Sequence, residues 1–196
     1  MSAALLQEKE KFNKLEDDRE SCLHVLTWTA LRFTKFHSPI GFGVLLSPFE
    51  EAYKDNDVVK GGRFKMDSLI QRQIPKCVKF LDRAPLDDLI ADLTGTFAFR
   101  YKEPPEDEYS EYYDSLSTND PSIAKLPVYK YLQAMGSLER RGWLVDTFRR
   151  HLDKVWPTSD KPVMKKRDGT VESPKKRRRT GEVGVEDATS GSHSAG

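Results

Sequence analysis

With 196 residues, 37% hydrophobic and 10% aromatic, the chain has material for one domain of ordinary size and its core, and two full domains would be crowded. Charged residues make up 32% and mean hydropathy is −0.65; no apolar run approaches the roughly 20 residues needed to cross a bilayer, which argues against a membrane protein. The net charge of +1 hides a split, with nine Lys/Arg against six Asp/Glu from Pro157 onward and 23 against 25 before it, so the body is nearly neutral and a broad nucleic-acid-binding face is not indicated.

The opening MSAALLQEKEKFNKLEDD has no basic stretch ahead of an apolar core and turns charged after Leu6, which is not the pattern of a secretory signal, so the protein is expected inside the cell. Asp17 to Phe33 then reads as a helix, with Asp17 as N-cap and Glu20 three residues on as its capping-box partner. Cys22, Leu23, Val25, Leu26, Trp28, Ala30, Leu31 and Phe33 are apolar on almost every side, which predicts a buried central helix. His37 to Gly43 ends it, and Leu45 to Tyr53 predicts a short helix with Pro48 in its first turn. Lys60-Gly61-Gly62 reads as a turn, followed by a helix over Phe64 to Gln73 that stops before Pro75. Pro85 opens a stronger one, in which Leu86, Leu89, Ile90, Leu93, Phe97 and Tyr101 recur at spacings of three and four with Asp87, Asp88 and Asp92 near the positive end.

Pro104-Pro105 stops that helix, and Glu106 to Asp114 is an acidic, Tyr-rich solvated helix or loop. Lys125 to Arg141 and Gly142 to Val155 predict two further helices, the last with a stripe of Trp143, Leu144, Phe148, Leu152 and Val155. Little of the chain alternates with period two, so strands should be scarce or absent. From Pro157 large apolar residues nearly vanish, a composition that cannot offset its ordering entropy, and disorder is expected over 157–196.

Candidate chemistry is sparse. Cys22 and Cys77 lie in no CxxC or Cys/His cluster, so no zinc site or disulfide framework is suggested and both are expected as buried thiols. His24, His37, His151 and His193 show no i,i+4 pairing, and no metal ligand set or Ser/His/Asp centre emerges. Gly41-Phe42-Gly43 is a lone GxG without the rest of a phosphate loop and reads as a turn. The carboxylates Glu103, Glu106, Asp107, Glu108 and Glu111 read as a solvated loop, and Tyr109, Tyr112 and Tyr113 among them are open to phosphorylation without any feature that demands it. The run Lys175-Lys176-Arg177-Arg178-Arg179, with Lys165-Lys166-Arg167 upstream, has the form of a nuclear-import signal read by an importin-type receptor; a weak nucleic-acid tether or a solubilising tail are the other readings.

The stretch Leu15 to Trp28, with Asp17-Asp18-Arg19-Glu20-Ser21 followed by Val25-Leu26-Thr27-Trp28, resembles the fungal-type protein kinase family of basidiomycete fungi, in which a DDxES-xxxVLxW pattern forms the central helix of the C-terminal lobe. Met1-Ser2-Ala3 looks like the end of the GTxxFMS segment that precedes this helix in the family. Lys60-Gly61-Gly62, Leu89 to Leu93 with Arg100-Tyr101, and Trp143 to Phe148 look like its later C-lobe helices. The resemblance covers roughly residues 1–156 and implies a mainly α fold, a kinase-like C-lobe fragment built as a helical bundle around a buried central helix, with a disordered basic tail over 157–196.

It also implies that Asp18, or failing it Asp17, sits where a kinase carboxylate accepts backbone amides of the catalytic loop and holds that loop rigid. The family uses ATP and Mg, whose chemistry needs a Gly-rich loop, a strand Lys paired with a helix Glu, a catalytic-loop Asp and Asn, and a metal-binding Asp. No HRD, DFG, VAIK or complete Gly-rich loop is found, and His151-Leu152-Asp153 lies in the last helix. The expectation is therefore a truncated kinase-related chain with no catalytic, cofactor-binding or metal residues of its own, which acts through protein contacts. The alternatives are the C-terminal part of an active serine/threonine-type kinase with its N-terminal portion missing, and a nuclear interaction module unrelated to kinases.

Overall fold

In the computed structural model, residues 1–8, 11–55, 58–106, 109, 113, 122–158, 164–165 and 171–172 are described. They are mainly helical, in the order α1 (Ala3–Gln7), α2 (Leu15–Phe33), β1 (Phe36–His37), α3 (Phe42–Glu50), β2 (Tyr53–Asp55), β3 (Val58–Lys60), α4 (Arg63–Ile70), α5 (Gln73–Cys77), β4 (Lys79–Phe80), α6 (Ala84–Phe97), two 3-10 turns (Ala98–Tyr101 and Ile123–Lys125), α7 (Pro127–Glu139), α8 (Trp143–Leu152), β5 (Met164–Lys165) and β6 (Val171–Glu172). The strands form three small antiparallel pairs: β1 with β4, β2 with β3, and β5 with β6. Most of the C-terminal tail, including Lys175 to Arg179 and His193, lies outside the described residues, as does most of Glu106 to Asp114.

Two apolar clusters make the core. Ala30, Leu31, Leu45, Leu46, Ile74, Val78, Phe80, Leu86 and Ile90 form one; Leu23, Leu69, Leu89, Leu93, Phe97, Leu138 and Trp143 form the other. The helix that joins them is α6. Its Leu86 and Ile90 face one cluster, Leu89, Leu93 and Phe97 the other, and it touches α2, α4, α5, α7 and α8. Asp87, in its first turn, accepts the Phe80 amide at 3.1 Å and so ties β4 to the positive end of the helix.

The expected role of α2 needs correction. It feeds both clusters through Leu23 and through Ala30 and Leu31, but Leu15, Asp18, Cys22, Val25 and Thr29, which recur at spacings of three and four, are exposed, with Val25 at 63%. A helix with apolar residues on nearly every side thus keeps one face in solvent, and the buried position at the centre belongs to α6. The thiols follow suit: Cys22 is exposed and Cys77 half-buried, so neither is the buried thiol expected.

Pro48 and Pro75 occupy helix positions other than those the sequence predicts. Pro48 sits late in α3, not in its first turn. Its missing N–H would have bonded the Val44 carbonyl, and Ser47 Oγ donates to that oxygen instead, at 2.8 Å. Pro75 is the third residue of α5, where the amide has no intrahelical acceptor, so it opens a helix where the sequence suggested an end.

Candidate functional site

The first turns of α2 gather the most concentrated chemistry in the described residues. The helix starts at Leu15 with Lys14 as N-cap, so Asp17 is its third residue, and its Oδ2 accepts the Lys14 amide at 2.9 Å. The other oxygen accepts from Ser2 Oγ at 2.8 Å and from Arg100. Glu20 does not complete the expected capping box. Its Oε1 accepts the Ala3 amide at 2.7 Å and meets His24 Nε2 at 3.1 Å; its Oε2 accepts from Arg100 at 2.7 Å and from the Tyr101 hydroxyl at 2.6 Å. Asp17 and Glu20 are both fully buried.

Three chain segments converge here. α1 brings Ser2 and the amides of Ala3 and Ala4, the latter donating to Tyr101 Oη at 3.3 Å. The 3-10 turn after α6 brings Arg100 and Tyr101. α4 brings Lys65, whose Nζ donates to the Met1 carbonyl at 3.3 Å. Gly62, just before α4, has φ +89°, and a Cβ there would lie 2.6 Å from the Ala3 carbonyl oxygen, so glycine permits the close seat of α1. Nearby, Arg19 reaches from α2 to the end of α7, donating to the Leu138 carbonyl and, at 2.9 Å, to that of Arg141.

The electrostatics follow from these bonds. Burial alone would raise the Asp17 carboxyl, but Arg100, the Lys14 amide and Ser2 outweigh it and hold it below the usual value. Glu20 is likewise lowered against its burial by His24, Tyr101 and the Ala3 amide. Burial lowers His24, with Glu20 opposing, and it then donates Nε2–H to Glu20 as a neutral ring. Burial also lowers Lys65, and burial together with the Glu20 charge raises the Tyr101 phenol. The carboxylate oxygens are occupied by protein donors, which makes the cluster a fastening between elements.

Of the two aspartates singled out from sequence, Asp17 is in this cluster. Asp18 is exposed and accepts only from Asn13 Nδ2, at 3.0 Å, among the hydrogen bonds described. Glu20, Arg100, Tyr101, Ser2, Lys65 and Arg19 were not identified as site residues, because partners that tie them together lie up to 122 positions away; the i,i+4 spacing of Glu20 and His24 is a local signal in the sequence that could have pointed to the cluster. A half-buried polar contact joins α8 to α6: His151, only 2% exposed, meets the exposed Asp92 at 2.8 Å through Nε2, and its Nδ1 has no partner among the described residues. No group of His, Cys, Asp and Glu suited to a metal ion occurs among the described residues, nor is any described helix long and apolar enough to cross a membrane.

A groove of about 710 Å³ lies between the first 3-10 turn and α7. Phe99 and Tyr131 meet edge-on in its wall at 6.3 Å, Val128 forms part of its lining, and Pro104-Pro105, Tyr109 and the exposed carboxylates Glu103 and Glu106 border it. Lys102 Nζ stands 4.6 Å from the Phe99 ring centroid. Comparison with known protein families, with curated proteins and with solved structures finds no match for this chain.

Proposed function

We propose that the chain is a non-catalytic helical module of the fungal-type protein kinase C-lobe kind, which works through contacts with other proteins. The observation that carries the reading is the cluster at the start of α2, where two buried carboxylates receive backbone amides and cationic side chains from segments far apart in the chain. Such an arrangement fixes loops to a helix and leaves no carboxylate oxygen facing a substrate. The resemblance favours Asp18 for the anchoring position, but Asp18 lies in solvent, and it is the second choice, Asp17, that is buried and accepts a backbone amide. The sequence motifs for holding nucleotide are missing, and since phosphoryl transfer is catalysed almost wholly by positioning and charge stabilisation, their loss removes the activity.

Thermal melting with and without Mg-ATP tests this. A ligand at a hundred times its Kd adds about 2.7 kcal/mol to the folded state, which for a domain of this size is a rise of roughly 5–10 °C. The expected result is one cooperative melt whose midpoint does not move with Mg-ATP. A saturable rise would overturn the reading, because it would reveal a nucleotide site in this chain and reopen the enzyme alternative.

A further inference from the structure

We propose that the seat of α1 is a peptide-docking cleft, filled from within by α1 and open in exchange to a helix start of another protein in which a hydroxyl residue precedes two small ones. The inference rests on the reading of the chain as a protein-contact module and names the chemistry of its partner.

The helix is built to detach. No residue of α1 belongs to either apolar cluster, and Ala3 is its only fully buried apolar side chain. Polar bonds of the kind a bound peptide makes hold it instead: Ser2 Oγ to Asp17, the Ala3 amide to Glu20, the Ala4 amide to the Tyr101 hydroxyl, Lys65 Nζ to the Met1 carbonyl, and the Gly61 amide to the Leu6 carbonyl at 3.2 Å. The seat stands without it. Asp17 keeps Arg100 and the Lys14 amide, and Glu20 keeps Arg100, His24 and the Tyr101 hydroxyl, so departure of α1 leaves neither carboxylate as an unpaired buried charge.

The same contacts define the ligand. Ser2 Oγ donates to Asp17 and accepts the Leu5 amide at 3.2 Å, a double role that a hydroxyl fills and a carboxylate cannot. Ala3 has no exposure, and its carbonyl oxygen lies where a Cβ at Gly62 would be 2.6 Å away, so the position admits a small side chain on a closely seated backbone. Glu20 and Tyr101 meet main-chain amides, which any residue but proline supplies. Residues 8–14 alone join α1 to α2, and Phe12 among them is exposed. So short a link keeps α1 at an effective concentration on the order of millimolar, the threshold that a competing partner must exceed.

The test uses the full chain carrying Ala3→Arg, which α1 cannot seat, and an acetylated peptide of residues 1–8 with a fluorescein at its end. Fluorescence anisotropy should show saturable binding to this variant, weaker binding to the wild type, where α1 competes, and a loss of about tenfold or more when the peptide carries Ser2→Ala. On a variant that melts cooperatively, absence of binding overturns the proposal. So does equal binding by the wild type, or by a peptide with Ala3→Arg, since either places the peptide elsewhere. Hydrogen exchange of the wild type decides the matter without the variant. The Ala3 and Ala4 amides should exchange about tenfold or more faster than those of Ile90 and Leu93 in α6; equal protection would mean that α1 leaves only with the whole body and would refute the exchange. Neither readout involves nucleotide, so failure here leaves the module reading to be judged by the Mg-ATP melt.

Discussion

Two adjacent aspartates at the start of α2 differ in everything but chemistry. Asp17 is fully buried and pairs with Arg100, Ser2 and the Lys14 amide, while Asp18 faces water. Removing one partner of a buried pair leaves an uncompensated charge and costs about 3–5 kcal/mol, whereas exposed substitutions usually fall within about 0.5 kcal/mol. Asp17→Ala is therefore expected to lose up to that much in urea titration, since Ser2 and the Lys14 amide lose their acceptor while Arg100 keeps only Glu20, and Asp18→Ala to melt like the wild type. Acid should act through the same cluster. Asp17, Glu20 and His24 all have folded-state values below their ordinary ones, so the unfolded chain binds more protons as pH falls. Their contribution is complete above the ordinary histidine value of 6.5 and is lost first as His24 would charge, then as pH passes 4.5 for Glu20 and 3.8 for Asp17 toward their lowered folded values. Melting temperatures measured from neutral to acid pH should decline across that window, and more shallowly in Glu20→Gln. The DDxES stretch made this acidic turn visible in the sequence, but the choice between its two aspartates was not legible. That choice depends on helix start, and α2 begins two residues before the acidic pair rather than on it, which turns Asp17 inward.

At the scale of elements, composition identified helices better than it ranked them. The spacing of Leu86, Leu89, Ile90, Leu93 and Phe97 gave α6 its helix and its buried face, and all five are buried. In α2 the near-continuous apolar run suggested burial all round, yet Val25 and Cys22 fall on the outward stripe because the polar residues Arg19, Glu20, His24 and Thr27 take inward positions. Three of those polar residues have partners inside the fold: Arg19 the end of α7, Glu20 the cluster, and His24 its i,i+4 neighbour Glu20 together with an edge-on contact with Phe49 at 6.0 Å. Hydrophobicity alone cannot register such pairing, since a buried polar group is tolerated when its hydrogen bonds are made. Leu93→Ala, at a site with no exposure, should therefore cost about 2–5 kcal/mol, and Val25→Ala within about 0.5 kcal/mol despite lying in the more apolar-looking segment. Urea midpoints of the two variants would check the ranking, and a larger loss for Val25→Ala would mean that α2 is covered on the face that is open here.

For the whole molecule, what was legible was the mainly helical body and the paucity of strand; what was not was how the segments are tied, because Ser2, Gly62, Lys65 and Arg100 matter only once distant parts of the chain meet. The two apolar clusters raise a related question, whether they unfold separately. The packing argues against it. α6 supplies residues to both, α2 does the same, and Leu26 packs against both. Loss of either cluster would expose one side of α6 and of α2, the helices that also hold the other cluster, so partial unfolding should be less favourable than global unfolding. The tryptophans report on the two sides independently: Trp28 and Trp156 pack on the first cluster, and Trp143 lies in the second, edge-on to Phe97 at 5.6 Å. A Trp143→Phe chain, followed by the fluorescence of Trp28 and Trp156, and a Trp28→Phe, Trp156→Phe chain, followed by that of Trp143, should each give a urea midpoint equal to the one found by circular dichroism on the same variant. Coincidence within each variant is the signature of one cooperative body. A fluorescence midpoint that separates from the helical signal would mean that α6 can keep one partner face while losing the other, and that the clusters are distinct folding units sharing a helix.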